Sequence, residues 1–265
     1  MKPFPAICIP VFLLATWTGR AQERPPRTEA TASPAEQRAG AELRNLQMHL
    51  AQDERILQDW PNLARYREEN KKLGTAAPQE KRVVFMGDSI TDAWGRTHGK
   101  FFPGKPYVNR GISGQTTPQM LIRFRPDVIQ LSPKAVVILA GTNDIAGNTG
   151  PETLADIEGN LASMAQLAQA NQIRVILASV MPVCDCFVPQ AVKRPPAKIV
   201  ALNGWIRDYC DRNGFVYLDY YSAMVDEKGM LKKSLTYDGL HPNDAGYELI
   251  SPLASAAIAK ALAQP

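Results

Sequence analysis

The sequence predicts an α/β domain built on a parallel β-sheet with helices on both faces. Three observations carry that expectation. Short β-branched runs alternate with amphipathic helical stretches from residue 80 onward. The runs are apolar without strict alternation, as strands buried on both faces must be. Their carboxyl ends bear the conspicuous glycines and polar residues, where sheets of this kind collect their sites. With 265 residues, 45% of them hydrophobic, the chain is long enough for one full domain with extensions.

The first residues stand apart from that pattern. Lys2 precedes a nearly wholly apolar run over 7–17, and Gly19, Arg20 and Ala21 put small residues near a cleavage point. Residues 1–21 therefore read as a secretory signal peptide, and the protein as secreted or periplasmic. The run is short for a membrane span, and a retained anchor is the alternative. Removing the segment takes Lys2 and Arg20 and no acid from the net charge of +4, leaving +2. So modest a charge argues against a nucleic-acid partner or a strongly anionic membrane. Lys193-Arg194 and Lys232-Lys233 read as solvated loop charges.

Residues 22–34 are rich in Pro, Thr, Ala and charge, with little to bury, and read as a disordered linker. Residues 35–79 read as a helical extension packed on the main domain. Leu43, Leu46 and Leu50 make one helical stripe. Asp59 just ahead of Pro61 suggests a second helix starting there, with Trp60, Leu63 and Tyr66 facing a neighbour.

The main domain, 80–265, opens with a strand at 83–86 that Gly87 stops. A helix near 91–94, a strand at 107–109 and a helix over 117–131 follow. The most strand-like run, 135–140, ends at Gly141. An amphipathic helix spans 151–170, with Leu154, Ile157, Leu161, Met164, Leu167 and Ala168 on one face. Then come a strand at 174–181, a helix at 199–213 and a strand at 215–219. Asn243 or Asp244 begins a last helix reaching 262.

Four polar clusters follow the strands in this order: Gly87-Asp88-Ser89, Gly111-Ile112-Ser113-Gly114, Gly141-Thr142-Asn143-Asp144, and Asp238-Gly239-Leu240-His241-Pro242. Ser89 lies between a strand end and a helix start, where backbone N–H groups can hold negative charge. Of three histidines, His241 alone follows an aspartate by three residues in a loop leading to a helix. An imidazole supplies the general base a serine lacks, and Asp238 could fix its tautomer. The Ser89 N–H, the Gly114 N–H and the Asn143 amide are candidate donors to an oxyanion. A residue without Cβ at 114 would let substrate approach the backbone.

In this order the clusters resemble the SGNH, or GDSL, hydrolase family, over roughly residue 80 to the C-terminus. Ile90 stands where that family often has Leu. The resemblance implies Ser89 as nucleophile, Asp238 and His241 as the rest of a triad, and Ser89, Gly114 and Asn143 as an oxyanion hole. It implies a flavodoxin-like three-layer α/β/α sandwich with a five-stranded parallel sheet. It also implies chemistry without metal or cofactor. No Gly-x-Ser-x-Gly elbow occurs, which separates the chain from α/β-hydrolases.

The expected activity is that of a secreted serine esterase hydrolysing short-chain, acetyl-like carboxylic esters through an acyl-enzyme. The substrate would be a small molecule or a carbohydrate ester. O-acyl transfer on the same residues and long-chain lipase or lysophospholipase activity are alternatives. A non-catalytic binding protein is disfavoured by the full set of residues. Trp94 and Ile145 are substrate-pocket candidates, Trp94 equally a core residue. Asp88, Asp144, Asn109 and Thr116 read as loop-holding groups. The loop 182–196 either walls the site or is a plain surface connection.

Cys8 would leave with the signal. Cys184-Asp-Cys186 has metal-like spacing without companion ligands, so a zinc site is not expected. One of that pair could bridge to Cys210, and the sequence does not choose which. A packed, inert thiol is the default.

Overall fold

Five strands form one parallel sheet in the order β2-β1-β3-β4-β5. They are β1 (Val83–Gly87), β2 (Tyr107–Gly111), β3 (Ala135–Leu139), β4 (Arg174–Ala178) and β5 (Val216–Leu218). The structure, a computed structural model, describes residues 33–264. The signal-peptide reading, Cys8 and nearly all of the linker reading lie outside the described residues. The chain divides into two compact units, Met1–Ala51 and Gln52–Pro265.

Alternate strand residues enter different cores, which explains the unbroken apolar runs. Val84, Met86, Val136 and Ile138 point to one face, covered by α4 (Thr117–Asp127), α6 (Leu154–Ala170) and α7 (Pro196–Asn213). Val83, Phe85, Val137 and Leu139 point to the other. That face is covered by α3 (Ser89–Ala93), α8 (Tyr221–Met224) and α9 (Asp244–Ala263). The result is the three-layer sandwich with a flavodoxin-like strand order. The short α5 (Thr142–Ile145) follows β3.

Helix starts are where side chains can accept the orphan N–H groups. Thr153 and Asp156 cap α6 reciprocally, and Asn243 caps α9 by accepting the Gly246 N–H at 3.0 Å. Strand β1 passes straight into α3, whose capping residue Asp88 accepts the Ile90 N–H at 2.9 Å. Gly111, the last residue of β2, packs beside α3: a Cβ there would lie 2.1 Å from the Asp92 nitrogen.

The segment before the sheet differs from expectation. Helix α1 (Pro34–Gln58) runs through without a break. Pro61 starts no helix. The chain turns over 59–65 because Asp59 spends its carboxylate on the Leu63 and Ala64 N–H groups, at 2.7 and 2.9 Å. Helix α2 begins only at Arg67 and ends at Leu73. The turns are fastened by Gln119 and Gln115, whose amides donate to the Trp60 and Pro61 carbonyls, both at 2.7 Å. Tyr66 is fully buried and donates to the Gly111 carbonyl.

Beneath these turns lies Arg123, with no exposed surface. It pairs with Asp127 at 3.0 Å and donates to the Arg110 and Gly87 carbonyls at 2.8 and 3.0 Å. One guanidinium thereby ties together the ends of β1 and β2, and its fork geometry suits it to that task.

The thiols also depart from one open expectation. Cys184 pairs with Cys186, and Cys210 is a buried free thiol. Cys184 packs with one core and Cys210 with the other, so the sheet stands between them. Burial pushes the Cys210 thiol up to about 12, which keeps it protonated and inert. Among the described residues no helix is long and apolar enough to cross a membrane.

Candidate active site

The four polar clusters converge at the carboxyl end of the sheet. Ser89 opens α3, directly after β1, and its Oγ lies 2.8 Å from His241 Nε2. His241 Nδ1 lies 2.6 Å from Asp238 Oδ2. A carboxylate only accepts, so Nδ1 carries the proton and the Nε2 lone pair faces the serine hydroxyl, which donates to it. That is the arrangement a general base needs.

The histidine is held from several sides. Asp238 Oδ1 accepts the His241 and Leu240 N–H groups at 2.7 and 2.9 Å, and Thr236 donates to the His241 carbonyl at 2.7 Å. Partial burial alone would raise the Asp238 carboxyl. The His241 ring and the two N–H groups outweigh it and hold the group below the usual carboxylate range. The Tyr237 ring stacks on His241 with centroids 5.8 Å apart.

Gly114 sits at the turn after β2 with φ +80°, a conformation that favours glycine, and a Cβ there would meet nothing within 4 Å. Asn148 donates to its carbonyl at 3.1 Å. Asn143, in α5, donates from Nδ2 to the Gln115 carbonyl at 3.0 Å. Its Oδ1 accepts from Arg194 Nη2 at 3.2 Å. Arginine cannot accept, so this contact fixes which way the amide faces and leaves one Nδ2 hydrogen uncommitted. Ser89, Gly114, Asn143, His241 and Arg194 line one cleft of about 630 Å³, with Asp238 behind the imidazole.

Two pocket candidates are not brought there. Trp94 is 3% exposed and packs among Phe85, Phe101, Phe102 and Tyr247. Ile145 turns into the opposite core, the one covered by α4, α6 and α7. The aromatic residues around Phe85 fill the space near Trp94.

The loop-charge reading of Arg194 is also overturned. It is 7% exposed, and it donates to Thr142 at 3.1 Å and Gln190 at 3.0 Å as well as to Asn143. It is the one residue through which the loop 182–196 reaches the cleft. Burial lowers its proton affinity, and the fields of Asp88 and Asp238 oppose that loss. Arg65 and Arg96 at the cleft rim were not singled out by the sequence either. A cation inside a proline-rich loop was the available signal for Arg194; Arg65 and Arg96 gave none.

The neighbouring acids hold structure. Asp144 accepts from the Thr117 N–H at 2.7 Å and from its hydroxyl at 2.5 Å. Burial pushes the Asp88 carboxyl up to about 6. Burial, and then the charge of the Asp144 carboxylate, push Glu152 up to about 7. Asn109 holds the Thr91 and Trp94 carbonyls, at 2.6 and 3.1 Å. Among the described residues no group of three or more His, Cys, Asp or Glu is placed to hold a metal.

Comparison with known proteins bears on the family and the fold. The family model described as GDSL-like Lipase/Acylhydrolase matches residues 85–249. A GDSL-like lipase from Bacteroides thetaiotaomicron is 47% identical, over 77% of this chain and 100% of its own, with a TM-score of 0.73. A candidate acylhydrolase from Bacteroides fragilis is 46% identical, over 77% of this chain and 99% of its own, also at 0.73. A catalytic mutant of an acetylxylan esterase from Geobacillus stearothermophilus shares the fold at 22% identity. It covers 70% of this chain and 95% of its own, with a TM-score of 0.55. The chain spans about a third of the length of the curated relatives it matches.

Proposed function

This chain belongs to the GDSL-like lipase/acylhydrolase family, and from that premise we propose that it is an exported serine esterase that removes short acyl groups from hydroxyl-rich alcohols. One observation carries the reading: a serine hydroxyl 2.8 Å from an imidazole that is itself 2.6 Å from a carboxylate, beside an amide that keeps one hydrogen uncommitted.

Ser89 Oγ attacks the ester carbonyl carbon while its proton passes to His241 Nε2. Asp238 stabilises the imidazolium that forms. The carbonyl oxygen, now an oxyanion, takes hydrogen bonds from the Ser89 and Gly114 N–H groups and the Asn143 amide; one such donor is worth about 10²–10³ in turnover. His241 then protonates the leaving alcohol. Water, deprotonated by the same nitrogen, attacks the acyl-serine, and the carboxylic acid leaves.

The preference for a polyhydroxylated alcohol rests on the cleft's surroundings. Ser113, Gly114 and Asn148 also line a second hollow, whose other lining residues include Asp59, Trp60, Asn62, Gln115, Gln119 and Thr149. Amide and hydroxyl side chains beside an aromatic residue suit sugar hydroxyls. Export rests on the leader-like residues 1–21. Purified Ser89→Ala should lose p-nitrophenyl acetate hydrolysis by at least about 10³-fold. Full activity in that variant would end the proposal. An added alcohol acceptor in the same assay separates hydrolysis from acyl transfer.

A further inference from the structure

Charge around the cleft is unbalanced. Arg65, Arg96 and Arg194 line it, against Asp92 as the one carboxylate among the described lining residues. Arg194 is committed below, to Asn143, Thr142 and Gln190. Asp92 is committed as well. Its Oδ1 takes Arg96 Nη1 at 2.7 Å, and its Oδ2 takes the Ser113 hydroxyl at 2.8 Å and N–H at 3.3 Å. Arg96 spends its remaining Nη2 on the Tyr66 hydroxyl at 3.1 Å.

Arg65 is different. Its nearest anionic atom, Asp92 Oδ1, is 3.7 Å away, beyond hydrogen-bond reach, and its side chain is 40% exposed. What fixes it is stacking: its guanidinium carbon lies 5.3 Å from the centre of the buried Tyr66 ring, which also carries Arg96 at 5.5 Å. The fork is therefore held in place with its donors unspent, on a rim where Arg65 and Arg96 stand against Asp92 alone among the described lining residues. A pre-placed guanidinium fork matches a planar carboxylate edge.

We propose that the ester this protein takes carries a carboxylate in its alcohol portion, held by Arg65 with Arg96 adding to the field. The proposal rests on the esterase reading above. A short acyl group fills little of about 630 Å³, so the alcohol portion is what reaches the rim. One free fork matches a singly charged planar group, and the residues that supply it lie in the turns ahead of β1, outside the family's matched residues 85–249.

The test compares kcat/KM for meta- and para-acetoxybenzoate with that for their neutral methyl esters, in the wild-type protein and in Arg65→Gln, Arg65→Lys and Arg65→Glu. The charged-to-neutral ratio for the better isomer should fall about fivefold to tenfold in Arg65→Gln and further in Arg65→Glu. Arg65→Lys should retain part of it. In the wild type the ratio should shrink as salt rises from about 0.05 to about 0.5 M. A ratio unmoved by all three substitutions overturns the inference. So does a carboxylate preference found only when the charge is on the acyl side, as in p-nitrophenyl hemisuccinate. If the neutral esters are hydrolysed in a Ser89-dependent way while the ratio stays fixed, the esterase reading stands and only this inference falls. If no ester is hydrolysed, both fall.

Discussion

Replacing Arg194 with methionine keeps most of the side chain's length and removes its three donors. The structure shows where the loss should land. Asn143 Oδ1 is buried and takes its hydrogen bond from Arg194, so in the variant the amide is anchored only through Nδ2 and the Gln115 carbonyl. Complete loss of an oxyanion donor costs about 10²–10³ in turnover. A donor that survives but is held at one end should cost a fraction of that in free energy. We expect kcat on p-nitrophenyl acetate to fall about 10- to 50-fold, about 1.4–2.3 kcal/mol of barrier, with KM within about threefold. Arg194→Lys keeps the charge but not the fork and should fall between. The decisive assay is a double-mutant cycle with Asn143→Ala. If Arg194 acts by orienting Asn143, its substitution should have little further effect once the amide is gone. An undiminished loss in the Asn143→Ala background, or wild-type kcat in a folded Arg194→Met protein, refutes the reasoning.

Two further predictions concern stability. Glu152 has its folded-state affinity for protons raised, to about 7 from an ordinary 4.5, so the folded protein binds more protons than the unfolded chain between those values. Stability from this site is therefore full below about 4.5 and is lost as pH rises through about 7; Glu152→Gln should flatten that decline in Tm measured from pH 5 to 8.5. Asp88, raised to about 6, acts in the same direction at lower pH. Arg123→Met leaves Asp127 buried without its cation and strips donors from the Gly87 and Arg110 carbonyls. The cost should be about 3–5 kcal/mol, read as a fall in Tm on the order of 10 °C.

The sheet was legible because parallel strands bury both faces, and runs such as Val83 to Met86 or Ala135 to Leu139 admit little else. The polar clusters were legible for a related reason: glycines at 87, 111 and 141 stop the strands and leave polar side chains beside them. What could not be read depends on the paths of loops. Arg194 looks like any surface cation until the loop after β4 is seen to fold it under Asn143. Trp94 sits near the motif in sequence, yet the facing of a side chain just past a short helix is set by its packing on Phe85 and on Tyr247, the latter distant in the chain. Pro61 suggested a helix start, but Asp59 had two N–H groups to satisfy first. The cysteine pairing turned on which side of the sheet each thiol occupies, and that is a property of the assembled layers.

Ser89 and His241 stand 152 residues apart, one at the opening of the sheet and the other just ahead of the closing helix. As the polypeptide is synthesised, the hydroxyl emerges long before its proton acceptor does. A nascent chain that has reached only β5 carries all five strands and lacks both His241 and α9, which covers one face of the sheet. The hydroxyl and the imidazole thus meet only as the last layer closes.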